Sequence, residues 1–86
     1  MASSLKSLSD YSSKNLIDIS NCKFAIVVSE WNEEVTESLY NGAYETLLTQ
    51  GADSNNIIRK DVPGSFELSL GAEKMAEKED IDAVIC

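Results

Sequence analysis

The sequence predicts an α/β fold, a three-layer αβα sandwich in which a parallel sheet lies between helices. Short apolar runs alternate along the chain with longer segments whose apolar residues recur every three to four positions. The resulting order is strand, helix, strand, helix, strand. The connections between these segments are short, which forces parallel pairing and right-handed crossovers. Three core strands and two helices amount to half of an open sandwich.

Composition excludes several classes of partner. The 86 residues carry a formal net charge of -8, so nucleic acid and anionic membrane surfaces should repel the chain. The sequence has no apolar run near the roughly 18 to 20 residues of a membrane span and no apolar core of a secretory signal at its N-terminus. A cytoplasmic location is expected. The alternative, a basic transit peptide, is disfavoured because Asp10 accompanies only Lys6 and Lys14.

The chain divides into two parts. Residues 1–22 are a Ser-rich N-terminal segment in which "LIDIS" is a possible edge strand, and residues 23–86 carry the strands and helices of a partial domain. The clearest strand lies in "KFAIVVSEW", where Phe24 to Val28 are continuously apolar and mostly β-branched. Such runs are typical of strands that are buried on both faces in a parallel sheet.

Helical spacing follows, from "NEEV" to Gly51. Asn32 is predicted to cap this helix, and Gly51 is the expected left-handed stop. Glu33 and Glu34 suit the positive end of the helix dipole. The predicted inward stripe consists of Val35, Leu39, Ala43 and Leu47, widened by Tyr40, Tyr44 and Leu48.

The remaining elements are a second strand, a second helix and a third strand. "NIIRKDV" is predicted to form the second strand, which is shorter and more polar, and "IDAVIC" opens the third. Residues 65–78 are predicted to form the helix between them. The expected inward residues of this helix are Leu68, Gly71, Ala72, Met75 and Ala76, and the expected solvated residues are Glu73, Lys74, Glu77 and Lys78.

Cysteine and histidine usage limits the chemistry. Cys22 precedes the first strand and Cys86 ends the third, so parallel pairing places them at opposite ends of the sheet, beyond the roughly 7 Å Cα limit of a disulfide. Both are predicted to be free, buried thiols. The sequence contains no histidine, the usual general base and the commonest metal ligand. Acid–base chemistry must therefore use carboxylates, a substrate group or residues that are not in this sequence.

The candidate site lies where two predicted strands end. In an open parallel sheet all strands deliver their carboxyl ends to one rim, and ligands bind there. The first strand brings "SEWN" to this rim and the second brings "VPGSFE". Trp31 can stack on a planar ligand, helix N-terminal amides favour electron-rich groups, and Glu67 can accept hydroxyl hydrogen bonds. These residues predict a site for a polar ring that bears a polyol.

Each of these residues also has a purely structural interpretation. Trp31 at a strand end is more often a packing residue than a ligand platform, and Phe66 can pack beneath the second helix. Glu67 suits the helix dipole without any ligand. Pro63 and Gly64 are ordinary turn residues, and neither GxGxxG nor GxxxxGK[ST] occurs. The pattern predicts a rim site and leaves its ligand open.

Four stretches resemble a known family: "FAIVVSEWN", "NGAYETLLTQGA", "NIIRKDVPGSFELSLGAEKMA" and "IDAVIC". Together they resemble lumazine synthase, the 6,7-dimethyl-8-ribityllumazine synthase of riboflavin biosynthesis, over residues 23–86. The most specific part is "VPGSFE" combined with an aromatic-Asn pair after the preceding strand. The resemblance implies a flavodoxin-like parallel sheet and a transferase that condenses 5-amino-6-(D-ribitylamino)uracil with 3,4-dihydroxy-2-butanone 4-phosphate. It implies neither a metal nor an organic cofactor.

The resemblance also implies roles for individual residues. Trp31 is expected to stack on the pyrimidinedione ring of the substrate. Ser65, Phe66 and Glu67 are expected to hold the ribityl-bearing substrate, with Glu67 accepting hydrogen bonds from ribityl hydroxyls. Asn32 is expected to cap its helix and to shape the pocket.

Other features of the family bear on completeness and assembly. Ser69 stands where many relatives have Pro, which should affect only the first turn of the helix. The family's phosphate loop and catalytic His follow the strand that here ends at Cys86, so no catalytic residue is expected within this chain. The chain is expected to be an N-terminal fragment without synthase activity by itself.

The family assembles as homopentamers, in some members as icosahedral shells, with the N-terminal segment joining a neighbour's sheet. Two alternatives stay open: a non-catalytic module that binds a flavin or lumazine, and a shell-forming scaffold subunit.

Overall fold

The computed structural model describes residues 17–86. Its elements, in chain order, are strand β1 (Phe24–Ser29), helix α1 (Glu33–Thr49), strand β2 (Ile57–Val62), helix α2 (Leu68–Ala76) and strand β3 (Ala83–Ile85). The predicted order of strands and helices is confirmed. Most of the Ser-rich segment lies outside the described residues, and the described part of "LIDIS", residues 17–20, is not in a strand. Within residues 17–86 no helix is long and apolar enough to cross a membrane.

The three strands form one parallel sheet in the order β2-β1-β3. β1 is central and pairs with β2 along its whole length, from Phe24 opposite Ile57 to Ser29 opposite Val62. It pairs with β3 only from Phe24 to Ile26. The last three residues of β1 therefore have no β3 partner in the described part of the chain.

The two helices cover opposite faces of the sheet, which confirms the α/β sandwich. Side chains alternate along a strand, so Ala25 and Val27 point to one face of β1 and Ile26 points to the other. Ala25 and Val27 belong to the buried cluster that includes Met75 of α2. Arg59, the β2 partner of Ile26, contacts Glu37 and Tyr40 of α1, so Ile26 lies on the face that α1 covers. The apolar run of β1 is buried because both of its faces are covered.

The predicted C-terminal stop of α1 is confirmed. Gly51 has a φ of 108°, a backbone angle that residues with a side chain rarely adopt. Its amide donates to the carbonyl of Leu48 at 3.1 Å, and the amide of Ala52 donates to that of Leu47 at 2.9 Å. This pair of bonds is the Schellman arrangement, which satisfies carbonyls that the helix itself leaves free.

The predicted inward stripe of α1 is partly wrong. Tyr40, Ala43 and Leu47 are partly buried as expected, but Val35 and Leu39 are 49% and 68% exposed. Leu39 borders a cavity that also touches Ile85 at the end of β3. Because β3 pairs with only half of β1, that side of α1 has little sheet beneath it.

Helix α2 is shorter than predicted. A 3-10 turn, Ser65–Glu67, precedes it, and it ends at Ala76, so Lys78 lies outside the helix. Of the expected inward residues, Gly71 and Met75 are buried, and Leu68 and Ala72 are partly buried. Ala76 is exposed, which corrects that part of the prediction.

The third strand, Ala83–Ile85, is also shorter than the run "IDAVIC", and Asp82 just before it pairs with Lys23 partly through its side chain. The amide of Lys23 donates to a carboxylate oxygen of Asp82 at 2.8 Å, and the amide of Asp82 donates to the carbonyl of Lys23 at 2.8 Å. This exchange begins the β1–β3 pairing before the regular ladder starts at Ala83.

The cysteines are free, as predicted, but they are not buried. Cys22 is partly buried and Cys86 is exposed. Cys86 directly follows β3, at the sheet's carboxyl edge, and its sulfur lies 4.0 Å from the carbonyl oxygen of Leu68. The prediction assumed that the third strand continues through Cys86 and buries it.

Candidate functional site

The carboxyl ends of β1 and β2 are joined by backbone hydrogen bonds that extend past the regular strands. The amide of Glu30 donates to the carbonyl of Val62 at 2.8 Å, and the amide of Trp31 donates to the carbonyl of Pro63 at 3.1 Å. These bonds place the "SEWN" and "VPGSFE" connections side by side. Two stretches that are distant in sequence therefore meet at one rim, as the parallel topology predicts.

A shallow cleft lies at this rim. It is lined by Trp31, Pro63, Gly64, Ser65, Phe66 and Glu67. Its volume of about 430 Å³ is within the usual range of small-molecule sites. The structure thus brings all four residues of the predicted binding set, Trp31 and Ser65 to Glu67, to one cleft.

The two aromatic rings of the cleft face solvent. Trp31 is 76% exposed and Phe66 is 97% exposed. Neither ring is packed in the core of the described residues. Both rings are therefore accessible at the cleft, where each offers a flat apolar surface.

The turn that carries Glu67 is short and tight. Gly64 is extended, with φ -160°, and its carbonyl accepts a hydrogen bond from the amide of Glu67 at 3.1 Å. A Cβ built on Gly64 would lie 3.4 Å from Oε1 of Glu67. The carboxylate therefore folds back over Gly64 and lies along the cleft, where it can accept hydrogen bonds from a ligand.

Sequence reasoning did not include Ser29 in the site. Its side chain is buried, and its Oγ accepts a hydrogen bond from the amide of Trp31 at 3.3 Å. Ser29 is therefore a second acceptor, besides Pro63, for the amide that holds Trp31 in place. The sequence feature that could have identified Ser29 is its hydroxyl at the end of an otherwise apolar strand.

Asn32 occupies the capping position of α1 but does not cap it as predicted. Its side chain makes no capping hydrogen bond, and its backbone is left-handed, with φ 61° and ψ 54°. Its carbonyl accepts from the amides of Val35 and Thr36 at 3.0 and 3.1 Å. Asn is one of the few residues that tolerate this conformation. The residue therefore supplies a backbone turn that leads from Trp31 into α1.

This role predicts how substitutions of Asn32 affect stability. Asn32→Ala should lower the free energy of unfolding by about 1 kcal/mol, because a left-handed backbone costs roughly 1–2 kcal/mol for residues with an ordinary Cβ. Asn32→Gly should be nearly neutral. Urea denaturation followed by circular dichroism measures both, with Asn41→Ala on the exposed face of α1 as the control. Equal losses in the Ala and Gly variants would show that the Asn side chain itself matters.

A second cavity, of about 160 Å³, lies beside the last residues of β1, where β3 no longer pairs with this strand. Its walls include Val27 and Val28 of β1, Leu39 of α1, Leu68 of α2 and Ile85 of β3. It is mostly apolar and contains none of the residues of the rim cleft. In the described part of the chain, no cluster of three or more Cys, Asp or Glu side chains could hold a metal ion.

Fold and site together define an α/β protein whose parallel sheet has a cleft at its carboxyl edge. Comparison with known proteins gives the particular family. The model of the family "6,7-dimethyl-8-ribityllumazine synthase" matches residues 21–86. The chain therefore belongs to the lumazine synthase family, and the predicted resemblance is confirmed.

Individual relatives agree with this assignment. The chain is 56% identical over 86 residues to 6,7-dimethyl-8-ribityllumazine synthase of Cytophaga hutchinsonii, covering 100% of the chain and 54% of that protein. It is 48% identical over 85 residues to the enzyme of the same name from Flavobacterium johnsoniae, covering 99% of the chain and 45% of that protein. The Bacteroides fragilis protein of that name is 57% identical over 63 residues, covering 73% of the chain and 44% of its own length. The chain spans about half the length of the curated relatives it matches.

Proposed function

We propose that this chain supplies part of a 6,7-dimethyl-8-ribityllumazine synthase, the part that binds the pyrimidine substrate. In the reaction, 5-amino-6-(D-ribitylamino)uracil condenses with 3,4-dihydroxy-2-butanone 4-phosphate, and the lumazine forms with loss of water and phosphate. The observation that carries the proposal is the rim cleft, where Trp31 stands beside the Ser65–Glu67 turn. Family membership supports it independently.

The residues of the cleft match the chemistry of that substrate. The exposed indole of Trp31 offers a flat surface on which a pyrimidinedione ring can stack. The carboxylate of Glu67 can accept hydrogen bonds from two or more ribityl hydroxyls. Ser65 and Phe66 belong to the same turn as Glu67 and also line the cleft.

The contribution of these residues to catalysis is orientation. Holding one reactant in a fixed geometry lowers the entropic cost of the bimolecular step. The proposal assigns no proton donor or acceptor to residues of this sequence, which contains no histidine. By itself the chain is proposed to bind substrate without turnover.

Assembly and location follow from the same proposal. We expect a homopentamer or a larger shell in the cytoplasm, with small molecules as ligands and with neither nucleic acid nor membrane as partner. The exposed apolar side chains of Leu39 and Leu70, at 68% and 54%, are consistent with burial by further protein. A chain of this size buries only roughly 60–65% of its unfolded surface, so additional contacts would stabilise it.

The proposal is tested by titrating the chain with 5-amino-6-(D-ribitylamino)uracil. Trp31 is the sole tryptophan of the sequence, so its fluorescence reports on the cleft directly. We expect quenching by this compound and weaker quenching by a diaminouracil that lacks the ribityl chain. Glu67→Gln should weaken binding of the ribityl compound only, whereas Glu73→Gln, on exposed α2 surface outside the cleft, should leave it unchanged.

Three outcomes separate the candidate functions. Absence of quenching by the ribityl compound would contradict the binding role and leave a scaffold subunit. Binding to protein expressed from the complete gene, without product from the two substrates, would indicate a non-catalytic binding module. Binding together with product formation would establish the synthase.

A further inference from the structure

Arg59 connects helix α1 to the edge strand β2. It lies opposite Ile26 in the sheet register, on the face that α1 covers. Its Nη1 donates to Oε1 of Glu37 at 3.0 Å, and its Nη2 donates to the other carboxylate oxygen. The guanidinium carbon also lies 4.5 Å from the ring centroid of Tyr40. Among residues 17–86, these are the side-chain hydrogen bonds that join α1 to β2.

A further bond links Arg59 to the end of its own strand. Nε donates to Oδ1 of Asp61 at 2.6 Å. Asp61 immediately precedes Val62, whose carbonyl accepts the amide of Glu30 at the rim. The Arg59 clamp, defined as Arg59 with Glu37, Tyr40 and Asp61, is therefore connected through Asp61 to the end of β2 at the rim.

Arg59 and Glu37 are both charged at neutral pH, and each favours the charged form of the other. Hydrogen bonds to Glu37 and then to Asp61 raise the pKa of the Arg59 guanidinium further above its already high value. The hydrogen bond from Arg59 lowers the pKa of the Glu37 carboxyl. The Arg59 side chain is 31% exposed, and exposed ion pairs contribute little to stability. The bidentate pair of the Arg59 guanidinium with the Glu37 carboxylate, stacked on the Tyr40 ring, does however fix the orientation of these three side chains.

The clamp is well placed to control the cleft. Trp31 stands just before α1, separated from it only by Asn32, and the Ser65–Glu67 turn follows β2 after Pro63 and Gly64. The backbone amide of Trp31 is bonded to Pro63 and Ser29, so a displacement of α1 relative to β2 would change the orientation of the indole over the turn while its amide stays anchored.

We propose that Arg59 is a positioning residue for the cleft. By holding α1 against β2, it sets the orientation of the Trp31 indole over the Ser65–Glu67 turn. The inference rests on the proposed binding role of the cleft for its effect on affinity, but its effect on Trp31 does not depend on any ligand.

The test uses Arg59→Met, which removes the clamp, and Arg59→Lys and Glu37→Gln, which weaken it with little change in shape. Lys60→Met, the next residue of β2, and Glu34→Gln, in the first turn of α1, are matched controls, since neither makes an ion pair in the described part of the chain. Two quantities are measured on folded protein: the anisotropy decay of Trp31 without ligand, and the Kd for 5-amino-6-(D-ribitylamino)uracil.

We expect Arg59→Met to increase the fast motion of the indole and to raise Kd by about tenfold, because small misplacements of binding groups have large effects. Arg59→Lys and Glu37→Gln should give smaller changes in the same direction, and both controls should behave as the unmodified chain. If Arg59→Met does not fold, the two milder variants decide.

The alternative is that the clamp only stabilises the fold. In that case the urea midpoint falls while indole motion and Kd stay unchanged, and the proposal is overturned. If the unmodified chain does not bind the compound, the proposed function fails, and the anisotropy decay alone decides: greater indole motion in the variants supports positioning, and equal motion overturns it.

Discussion

Gly71→Ala is expected to destabilise the chain, although alanine normally favours a helix. Gly71 lies in α2 at its closest approach to the sheet. A Cβ there would be 2.8 Å from Cγ1 of Val27 and 3.0 Å from Cγ1 of Val62. Both valines are buried and β-branched, so their methyl groups have little freedom to move away.

The magnitudes indicate which effect dominates. Overpacking a core costs about 1–3 kcal/mol. The better helix propensity of alanine offsets about 1 kcal/mol of this destabilisation. We expect a net loss of up to about 2 kcal/mol in the free energy of unfolding. Helix α2 should also shift outward, and with it the adjoining Ser65–Glu67 turn.

A matched control lies in the other helix. Gly42 is exposed within α1, and a Cβ there would meet nothing within 4 Å. Gly42→Ala should therefore stabilise the chain by about 0.5–1 kcal/mol. Urea denaturation measures both variants, and Val27→Ala combined with Gly71→Ala should recover part of the overpacking cost. A stabilising Gly71→Ala would mean that α2 does not approach the sheet this closely in solution.

Trp31→Ala is expected to weaken binding of 5-amino-6-(D-ribitylamino)uracil by about 1–3 kcal/mol, by analogy with stacking of bases on aromatic side chains. The indole is 76% exposed in the free chain, so its removal should change stability by no more than about 0.5 kcal/mol. Affinity and stability should thus respond very differently.

Calorimetric titration is the appropriate measurement, because the variant has no tryptophan. Trp31→Phe, which keeps a ring that can stack, should retain most of the affinity. An unchanged affinity in Trp31→Ala would assign the exposed indole to contacts with other protein surfaces instead of to substrate.

Much of the architecture was predictable because it depends on local patterns. The apolar run from Phe24 to Val28 predicts a buried strand, and Gly51 predicts the end of α1. Short connections require parallel strands, and parallel strands bring their carboxyl ends to one rim. Trp31 and Glu67 could therefore be placed in one site without coordinates.

The sequence by itself thus determined the order of the elements, the parallel pairing of the strands and the two stretches that meet at the rim. Only the tertiary structure revealed the left-handed backbone of Asn32, the bond from Trp31 to Ser29 and the contacts of Arg59 with α1. It also showed that Gly71 is required by the valines of two different strands. Periodicity describes one element at a time, whereas these features depend on the distance between elements, which packing of the whole chain decides.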